Sequence, residues 1–250
     1  MDYRAVKGNY LDEIIRQREI WTRKPILHEI YSRYFRAIKT HLAPGEPTIE
    51  IGGGSGRLKE ELGTRVFSSD VFFTPWIDVQ MDAHDLPFRG GSVRNIVAID
   101  VLHHLPDPLR FFKEAARTLS TGGRITLVEP QISAWGFFVY RFLHHEPCDP
   151  HDAVWGSRPS SSDHNFANAA LPWLVLERGR TQLEAEIPAL RVRHTKYFDF
   201  IGYAASGGFN YRNMIPPTLI RWILRCEDLI PDPVMKHLTG LRFLAVLERT

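Results

Sequence analysis

The sequence runs to 250 residues, 44% of them hydrophobic, enough for one large domain or two small ones around a sizeable core. A net charge of +2, from 31 basic and 29 acidic residues, argues against a dedicated nucleic-acid binder, which carries a strongly basic face. The two cysteines, Cys148 and Cys226, match no metal spacing and cannot form a disulfide framework. No run of about 18 apolar residues is present to span a membrane, and Met1-Asp2-Tyr3-Arg4 lacks the apolar run of a signal peptide; a reducing, cytoplasmic setting is therefore expected.

Residues 1–43 carry Ile14, Ile15, Arg18 and Trp21, then Ile26, Leu27, Ile30, Tyr34 and Ile38, near helical spacing. Pro25 separates two predicted helices, the second ending near His41 ahead of Pro44-Gly45. This 1–44 segment reads either as a helical cap over a ligand cleft or as helices packed on a sheet edge. Tyr3 and Tyr10 are within reach of such a cleft, but nothing in the sequence fixes them there.

The chain is organised around Thr48-Ile49-Glu50-Ile51-Gly52-Gly53-Gly54-Ser55-Gly56-Arg57. Ile49 and Ile51 predict a first strand, which breaks into glycines. Gly52, Gly54 and Gly56 can take positive φ and carry no Cβ, so backbone can press against a ligand. Arg57 to Leu62 reads as the following helix. Strand, glycine turn and helix form the ligand-binding corner of a doubly wound α/β sheet. The dinucleotide pattern G-x-G-x-x-G fails at Arg57, and no Lys-Ser or Lys-Thr follows Gly56 to make a phosphate loop. The pattern that fits is E-x-G-x-G-x-G, Glu50-Gly52-Gly54-Gly56. It resembles motif I of the class I S-adenosylmethionine (SAM) methyltransferases. The resemblance implies a Rossmann-like, doubly wound seven-stranded sheet with helices on both faces and an antiparallel last strand. It also implies SAM as cofactor, with Glu50, Gly52, Gly54 and Gly56 at its site.

Arg65 to Asp70 predicts the second strand, and Asp70 at its end sits where a carboxylate accepts hydrogen bonds from both ribose hydroxyls; the alternative is a cap ahead of Phe72. Ile77 to Met81 predicts the third strand. Asp82-Ala83-His84-Asp85-Leu86-Pro87-Phe88 then resembles the D-A-x-x-L-P-F segment of the methyltransferase group that includes the ubiquinone methyltransferases. That likeness assigns the adenine amino group to Asp82 and the ring edge to the Ala83 backbone.

Val93 to Ile99 is a nearly continuous apolar run, as in a central parallel strand. Asp100 follows it, placed near the reacting end of the cofactor because ligands bind beyond strand carboxyl ends. His103 and His104 are candidates for catalysis or for structural packing. Asp107-Pro108 starts a helix with Asp107 as cap. That helix is expected to run through Leu119 and end at Ser120-Thr121-Gly122-Gly123, like the R-x-L-x-x-G-G pattern of the family. Arg124 to Glu129 predicts strand five. The resemblance covers about residues 45–130, the SAM-binding core; residues 131–250 are expected to bind the acceptor and complete the same sheet.

Beyond Pro130, residues 134–143 predict an aromatic helix leading into His144-His145-Glu146-Pro147. Imidazole is a good general base near neutral pH, so His144 or His145, paired with an acid, would serve to deprotonate an acceptor hydroxyl; the alternative is that the pair caps a helix end. Two histidines with Glu146 also suggest metal, but consecutive side chains diverge and no fourth ligand is near, so no metal is expected. Residues 147–168 read as a long polar loop over the site mouth, with His151, Asp152, Trp155 and His164 as acceptor contacts. Leu190 to Phe200 predicts strand six, 205–211 a turn, Pro216-Pro217 a helix start and Leu241 to Leu247 strand seven. Residues 216–238 mix apolar and basic positions, which leaves peripheral membrane contact open.

The sequence therefore predicts a SAM-dependent methyltransferase acting on a small molecule, most simply at a hydroxyl. N- or C-methylation, RNA methylation and a non-catalytic partner subunit are the alternatives. A nicotinamide oxidoreductase is disfavoured by Arg57.

Overall fold

The computed structural model describes residues 3–63, 66–154 and 166–250. Two long helices open the chain, α1 (Tyr3–Arg23) and α2 (Pro25–His41). Pro25 stands at the first turn of α2, where its missing N–H costs nothing. Ile26, Ile30, Tyr34 and Ile38 recur every four residues, so one stripe of α2 is buried.

Seven strands follow: β1 (Thr48–Ile51), β2 (Val66–Asp70), β3 (Val79–Gln80), β4 (Val93–Ile99), β5 (Leu119–Pro130), β6 (Leu190–Phe198) and β7 (Arg242–Arg249). Their spatial order is β3-β2-β1-β4-β5-β7-β6. β1 through β5 pair in parallel, and β7 runs antiparallel to both β5 and β6. The expected Rossmann-like sheet with a reversed last strand is what the chain forms.

Helix α3 (Arg57–Leu62) follows β1, and α4 (Pro108–Thr118) and α5 (Ala134–Phe142) flank β5. Later come the short α6 (Leu171–Trp173), α7 (Arg180–Glu186), α8 (Gly202–Ser206) and α9 (Pro217–Glu227). Successive strand residues point to opposite faces, and the sheet therefore carries two cores. Ile96 and Ala98 of β4, with Phe243 and Ala245 of β7, pack with Phe111, Phe112 and Ala115 of α4. Val97, Leu244 and Val246 pack on the other face with Ile30, Tyr34 and Ile38 of α2 and Ile220 and Leu224 of α9. Among the described residues no helix is long and apolar enough to cross a membrane. On α9, Ile220 and Leu224 are buried while Trp222 is exposed.

Several boundaries differ from expectation. β3 shrinks to two exposed residues, because Asp78 turns its carboxylate onto the Ser68 N–H (2.8 Å) and the Lys59 ammonium instead of extending the strand. α4 stops at Thr118, and Leu119 already pairs with Val93. The ladder then jumps to Asn95 and Arg124, so 120–123 is a bulge within β5, with Gly122 at φ 71°, rather than a turn before it.

The strand order reverses at β1, which has β2 on one side and β4 on the other. A crevice opens beyond the carboxyl ends of strands at such a switch point. Here those ends carry Gly52 and Asp100.

Candidate functional site

A cavity of about 840 Å³ opens over this switch point, running from the glycine turn to the four histidines His103, His104, His144 and His145. Its floor is the β1 turn. Gly52 has φ 70°, and a Cβ there would lie 2.3 Å from Val101 Cγ2. A Cβ on Gly54 would lie 2.6 Å from the Tyr10 hydroxyl and 3.1 Å from Asp70 Oδ2. Gly56, at φ 68°, faces Trp76 and not the cavity, and serves the start of α3. Glu50 is buried and accepts the Ser68 hydroxyl at 2.6 Å. Burial, opposed by that hydrogen bond, raises its pKa to about 7.

Asp70 is buried at the end of β2 and accepts three hydrogen bonds. The Gly54 N–H and the Tyr10 hydroxyl reach Oδ2 at 3.0 and 2.7 Å, and the Phe72 N–H reaches Oδ1 at 3.0 Å. Burial nevertheless leaves its pKa raised. Tyr10 comes from α1, which lies across the glycine turn: Ile14 is buried there, Arg18 reaches the Ser55 carbonyl, and its guanidinium stacks 4.5 Å over Trp76. Of the N-terminal helices, α1 thus lies over the cleft, while α2 packs on a face of the sheet against its central strands and not on its edge.

Further along the crevice, Asp82 Oδ1 accepts from the His84 N–H (2.8 Å) and from His84 Nδ1 (2.7 Å). A carboxylate can only accept, so Nδ1 of His84 carries a proton. Its Nε2 is buried with no hydrogen-bond partner among the described residues, and the residue lines the cavity beside Ala83. An unsatisfied ring nitrogen of this kind suits a polar edge of a nucleobase. Together with the tight glycine turn at Gly52 and Gly54, the crevice fits a nucleoside-bearing ligand.

Beyond Asp82 the cavity passes Asp100, which has φ 58° at the end of β4. Its carboxylate pairs with the buried Arg242 guanidinium of β7. Burial works against the arginine's charge, but Asp100 and the hydroxyls of Tyr203, Tyr140 and Tyr34 outweigh it and raise its pKa.

At the far end four imidazoles converge on Glu146. His103 Nε2 and His104 Nε2 each stand 3.5 Å from its carboxylate, His144 Nδ1 3.7 Å and His145 Nε2 3.8 Å. The buried His103 donates through Nδ1 to Glu129 Oε2 at 2.7 Å. Glu129, at the end of β5, also accepts the Val101 and Leu102 N–H groups at 2.9 and 2.7 Å. Burial opposes the His103 charge, yet Glu129 and Glu146 lift its pKa to about 10. Burial favours the neutral form at His104 and His144 and lowers both pKa values. Burial would raise Glu146, but the surrounding imidazoles hold it down at about 2.

The structure thus gathers Gly52, Gly54, Asp70, Asp82, Ala83, Asp100, His144 and His145 around one cavity, with Glu50 in its wall. His151 and Asp152 lie outside it, Asp152 accepting from Asn168 Nδ2 at 2.9 Å; Trp155 and His164 lie outside the described residues. Neither Arg242 nor Glu129 is among the site residues that the sequence predicts. A lone arginine within the otherwise apolar run Leu241–Leu247 is the available signal, because a buried charge requires a partner.

Residues 49–127 match the sequence profile described as the methyltransferase domain. The chain carries a class I SAM-dependent methyltransferase domain. Such a domain implies SAM as cofactor, whose sulfonium would supply an activated methyl group. The domain is similar to 27-O-demethylrifamycin SV methyltransferase of Amycolatopsis mediterranei, 30% identical over 93 residues, which are 33% of this chain and 34% of that one. The matched stretch spans about a third of the length of the curated relatives. In fold it resembles a chain of the complex between the Haloferax volcanii Trm112 methyltransferase activator and a methyltransferase (TM-score 0.53, 15% identity, 98% of this chain and 97% of that one). It also resembles geranyl diphosphate C-methyltransferase of Streptomyces coelicolor A3(2) (TM-score 0.52, 15% identity, 89% and 80%). These likenesses share the methyltransferase fold and differ in what the proteins' names say they act on.

Proposed function

We propose that the chain transfers the methyl group of SAM to a hydroxyl of a small-molecule acceptor. The observation that carries this reading is the continuity of one cavity from the glycine turn, past Asp100, to the imidazoles around Glu146. At about 840 Å³ it lies in the upper part of the range of about 300–1,000 Å³ found for small-ligand sites, room for a cofactor and a modest acceptor together. The A. mediterranei relative, whose name makes an O-demethyl compound its substrate, supports oxygen as the receiving atom.

In this reading Gly52 and Gly54 let backbone lie against the methionine and ribose moieties. Asp70 accepts the ribose hydroxyls, and Asp82 with the Ala83 N–H meets the adenine. Glu50 supports the turn through Ser68, and Asp100 stands near the reacting end. His144 takes the acceptor's proton. Its Nδ1 accepts the Glu146 N–H at 3.3 Å, a long hydrogen bond that releases readily to an acceptor hydroxyl. The imidazolium formed faces the Glu146 carboxylate at 3.7 Å. As the proton leaves, the acceptor oxygen bonds to the methyl carbon, the carbon–sulfur bond breaks, and its electron pair returns to sulfur. Alignment of oxygen, carbon and sulfur supplies most of the acceleration, and a site screened from water favours loss of the sulfonium charge. His145, at the mouth, stands beside His144 with ring centroids 4.6 Å apart and is the second candidate base. The two free cysteines, Cys148 and Cys226, support a reducing, cytoplasmic setting.

The test has two stages. Calorimetry of the full chain with SAM should give one binding site. With an acceptor found by screening hydroxylated small molecules, His144→Ala should then lower kcat about 10²–10⁴-fold, the scale of general-base catalysis, with SAM affinity unchanged. Full kcat in both His144→Ala and His145→Ala would remove the base assignment, and no SAM binding by folded protein would remove the whole reading.

A further inference from the structure

We propose that His103 Nε2, His104 Nε2 and the Glu146 carboxylate form a binding site for a divalent transition-metal ion of the zinc type at the acceptor end of the cavity. Within residues 144–146 alone, diverging consecutive side chains argue against metal. In the 3₁₀ turn Leu102–His104 they do not diverge: the His103 and His104 rings lie 4.1 Å apart, and both turn Nε2 toward the same carboxylate. Glu146 arrives from a distant segment of the chain, so the donor set cannot be seen in any local motif.

Orientation of the ring nitrogens is the first support. Histidines that ligate metals donate their other ring N–H to a carboxylate or a carbonyl, which fixes the tautomer and aims the lone pair. His103 Nδ1 is held at 2.7 Å by Glu129, itself fixed by two backbone N–H groups. His104 Nδ1 is 3.3 Å from the Phe166 carbonyl, which can only accept. Both histidines therefore spend Nδ1 on an acceptor and present Nε2 to Glu146.

Distance is the second. Two ligand atoms on a tetrahedral zinc-type ion, each about 2.1 Å from it, stand about 3.4 Å apart. His103 Nε2 stands 3.5 Å from Glu146 Oε2 and His104 Nε2 3.5 Å from Glu146 Oε1, so each imidazole faces its own carboxylate oxygen, and one ligand atom from each of the three residues lies within 4.8 Å of the other two. A charge-assisted N–H···O hydrogen bond closes to about 2.7–2.9 Å, as the Nδ1 side of His103 does. Two imidazoles and one carboxylate are donors that suit zinc, cobalt, iron or manganese better than magnesium, which prefers oxygen ligands alone.

The site lies where it would matter. His103, His104 and Glu146 all line the cavity, and Asp100 has a carboxylate oxygen within 4.8 Å of a His103 ring nitrogen. Three protein ligands leave a position open, and an acceptor hydroxyl is the group that would fill it, oriented and made more acidic. That extension rests on the proposed methyl transfer; the metal site itself does not.

The experiment treats the full chain with chelator, removes it, and titrates with Co²⁺ while recording visible absorption. One equivalent should bind with the bands of a low-coordinate Co²⁺ centre, and Zn²⁺ should displace it while Mg²⁺ does not. Glu146→Gln and His104→Ala should each weaken Co²⁺ binding at least 10-fold, and Glu129→Gln, which only positions His103, about 10–100-fold. His194→Ala, which breaks the stacked His41–His194 pair elsewhere on the surface, should change nothing. SAM calorimetry on the same samples reports folding and the cofactor reading independently. Absence of a cobalt spectrum, or binding that survives both Glu146→Gln and His104→Ala, overturns the site even where SAM binds normally.

Discussion

The Tyr10 hydroxyl donates to Asp70 Oδ2 at 2.7 Å, joining the first helix to the end of the second strand across 60 positions. Asp70 is also the residue assigned to the ribose. A carboxylate oxygen that already accepts Tyr10 and Gly54 must give up a donor before it can receive a ribose hydroxyl. Tyr10→Phe removes the competing donor. It should tighten SAM binding by up to about tenfold, the equivalent of one modest hydrogen bond near 1.4 kcal/mol. Asp70→Ala should weaken it about 100-fold, because hydrogen bonds to a charged acceptor are worth about 1.5–3 kcal/mol. Calorimetry measures both, and a Tyr10→Phe protein that binds SAM more weakly than the parent would show that Tyr10 stays on Asp70 in the complex.

Gly52 and Gly54 should respond differently to alanine. At Gly52 the backbone is left-handed and the new methyl would meet Val101 Cγ2 at 2.3 Å, so Gly52→Ala should cost about 1–2 kcal/mol for the conformation alone, plus the clash, seen as a lower Tm. At Gly54 the nearest atom is the tip of the Tyr10 side chain at 2.6 Å, which can swing away. Gly54→Ala should keep its Tm within a few degrees and lose at least tenfold in SAM affinity, since the methyl occupies the cradle. Equal effects of the two substitutions on Tm would refute the distinction.

These two positions also mark how far the sequence reaches. The glycine turn and Asp100 are legible because each lies at the end of a strand whose apolar run marks it, Asp70 because it closes the next strand, and Asp82 through the likeness of 82–88 to a family segment rather than through β3, which is two exposed residues. The imidazole cluster is half legible. His144-His145-Glu146 is visible as a run and His103-His104 as another, but their convergence depends on how the segment after β5 folds back over the turn after β4. No local period encodes that. The bulge at 120–123 reads as a helix stop because Gly122-Gly123 marks a turn as readily as a bulge. Arg242 escapes a sequence reading because strand position alone does not say that Asp100 waits opposite it.

Glu50 gives a pH signature. Its folded-state pKa is raised to about 7 by burial, against about 4.3 in an unfolded chain. Between those values the unfolded chain has lost the proton and the folded protein keeps it. Stability contributed by this group therefore falls as pH rises from about 4.3 to about 7 and is flat above that. Glu50→Gln abolishes the dependence. Relative to the parent, the variant should gain on the order of 2 kcal/mol between pH 5 and pH 8, because each pH unit across which only the folded protein holds the proton is worth about 1.4 kcal/mol. Urea unfolding at the two pH values checks this, and a parent–variant difference that does not change with pH would rule it out.

Asp100 and Arg242 are coupled across 142 positions. The guanidinium is buried and Asp100 is only partly exposed, so neither charge can be left alone cheaply. Asp100→Asn keeps a residue type that tolerates the left-handed backbone at φ 58° but strips the countercharge from Arg242. It should cost about 2–4 kcal/mol, near the range for breaking a buried pair. Arg242→Met alone strands the acid and should cost somewhat less, because Asp100 retains access to water. The double substitution removes both charges and should be less damaging than the sum of the two by about 1–3 kcal/mol, the size of coupling expected between contacting residues. Chemical denaturation of the four proteins closes the cycle. Strict additivity would mean that the two side chains meet without stabilising each other, and the positive φ at Asp100 would then have to be maintained by the β4 carboxyl end alone, through its N–H to the Val128 carbonyl at 3.0 Å.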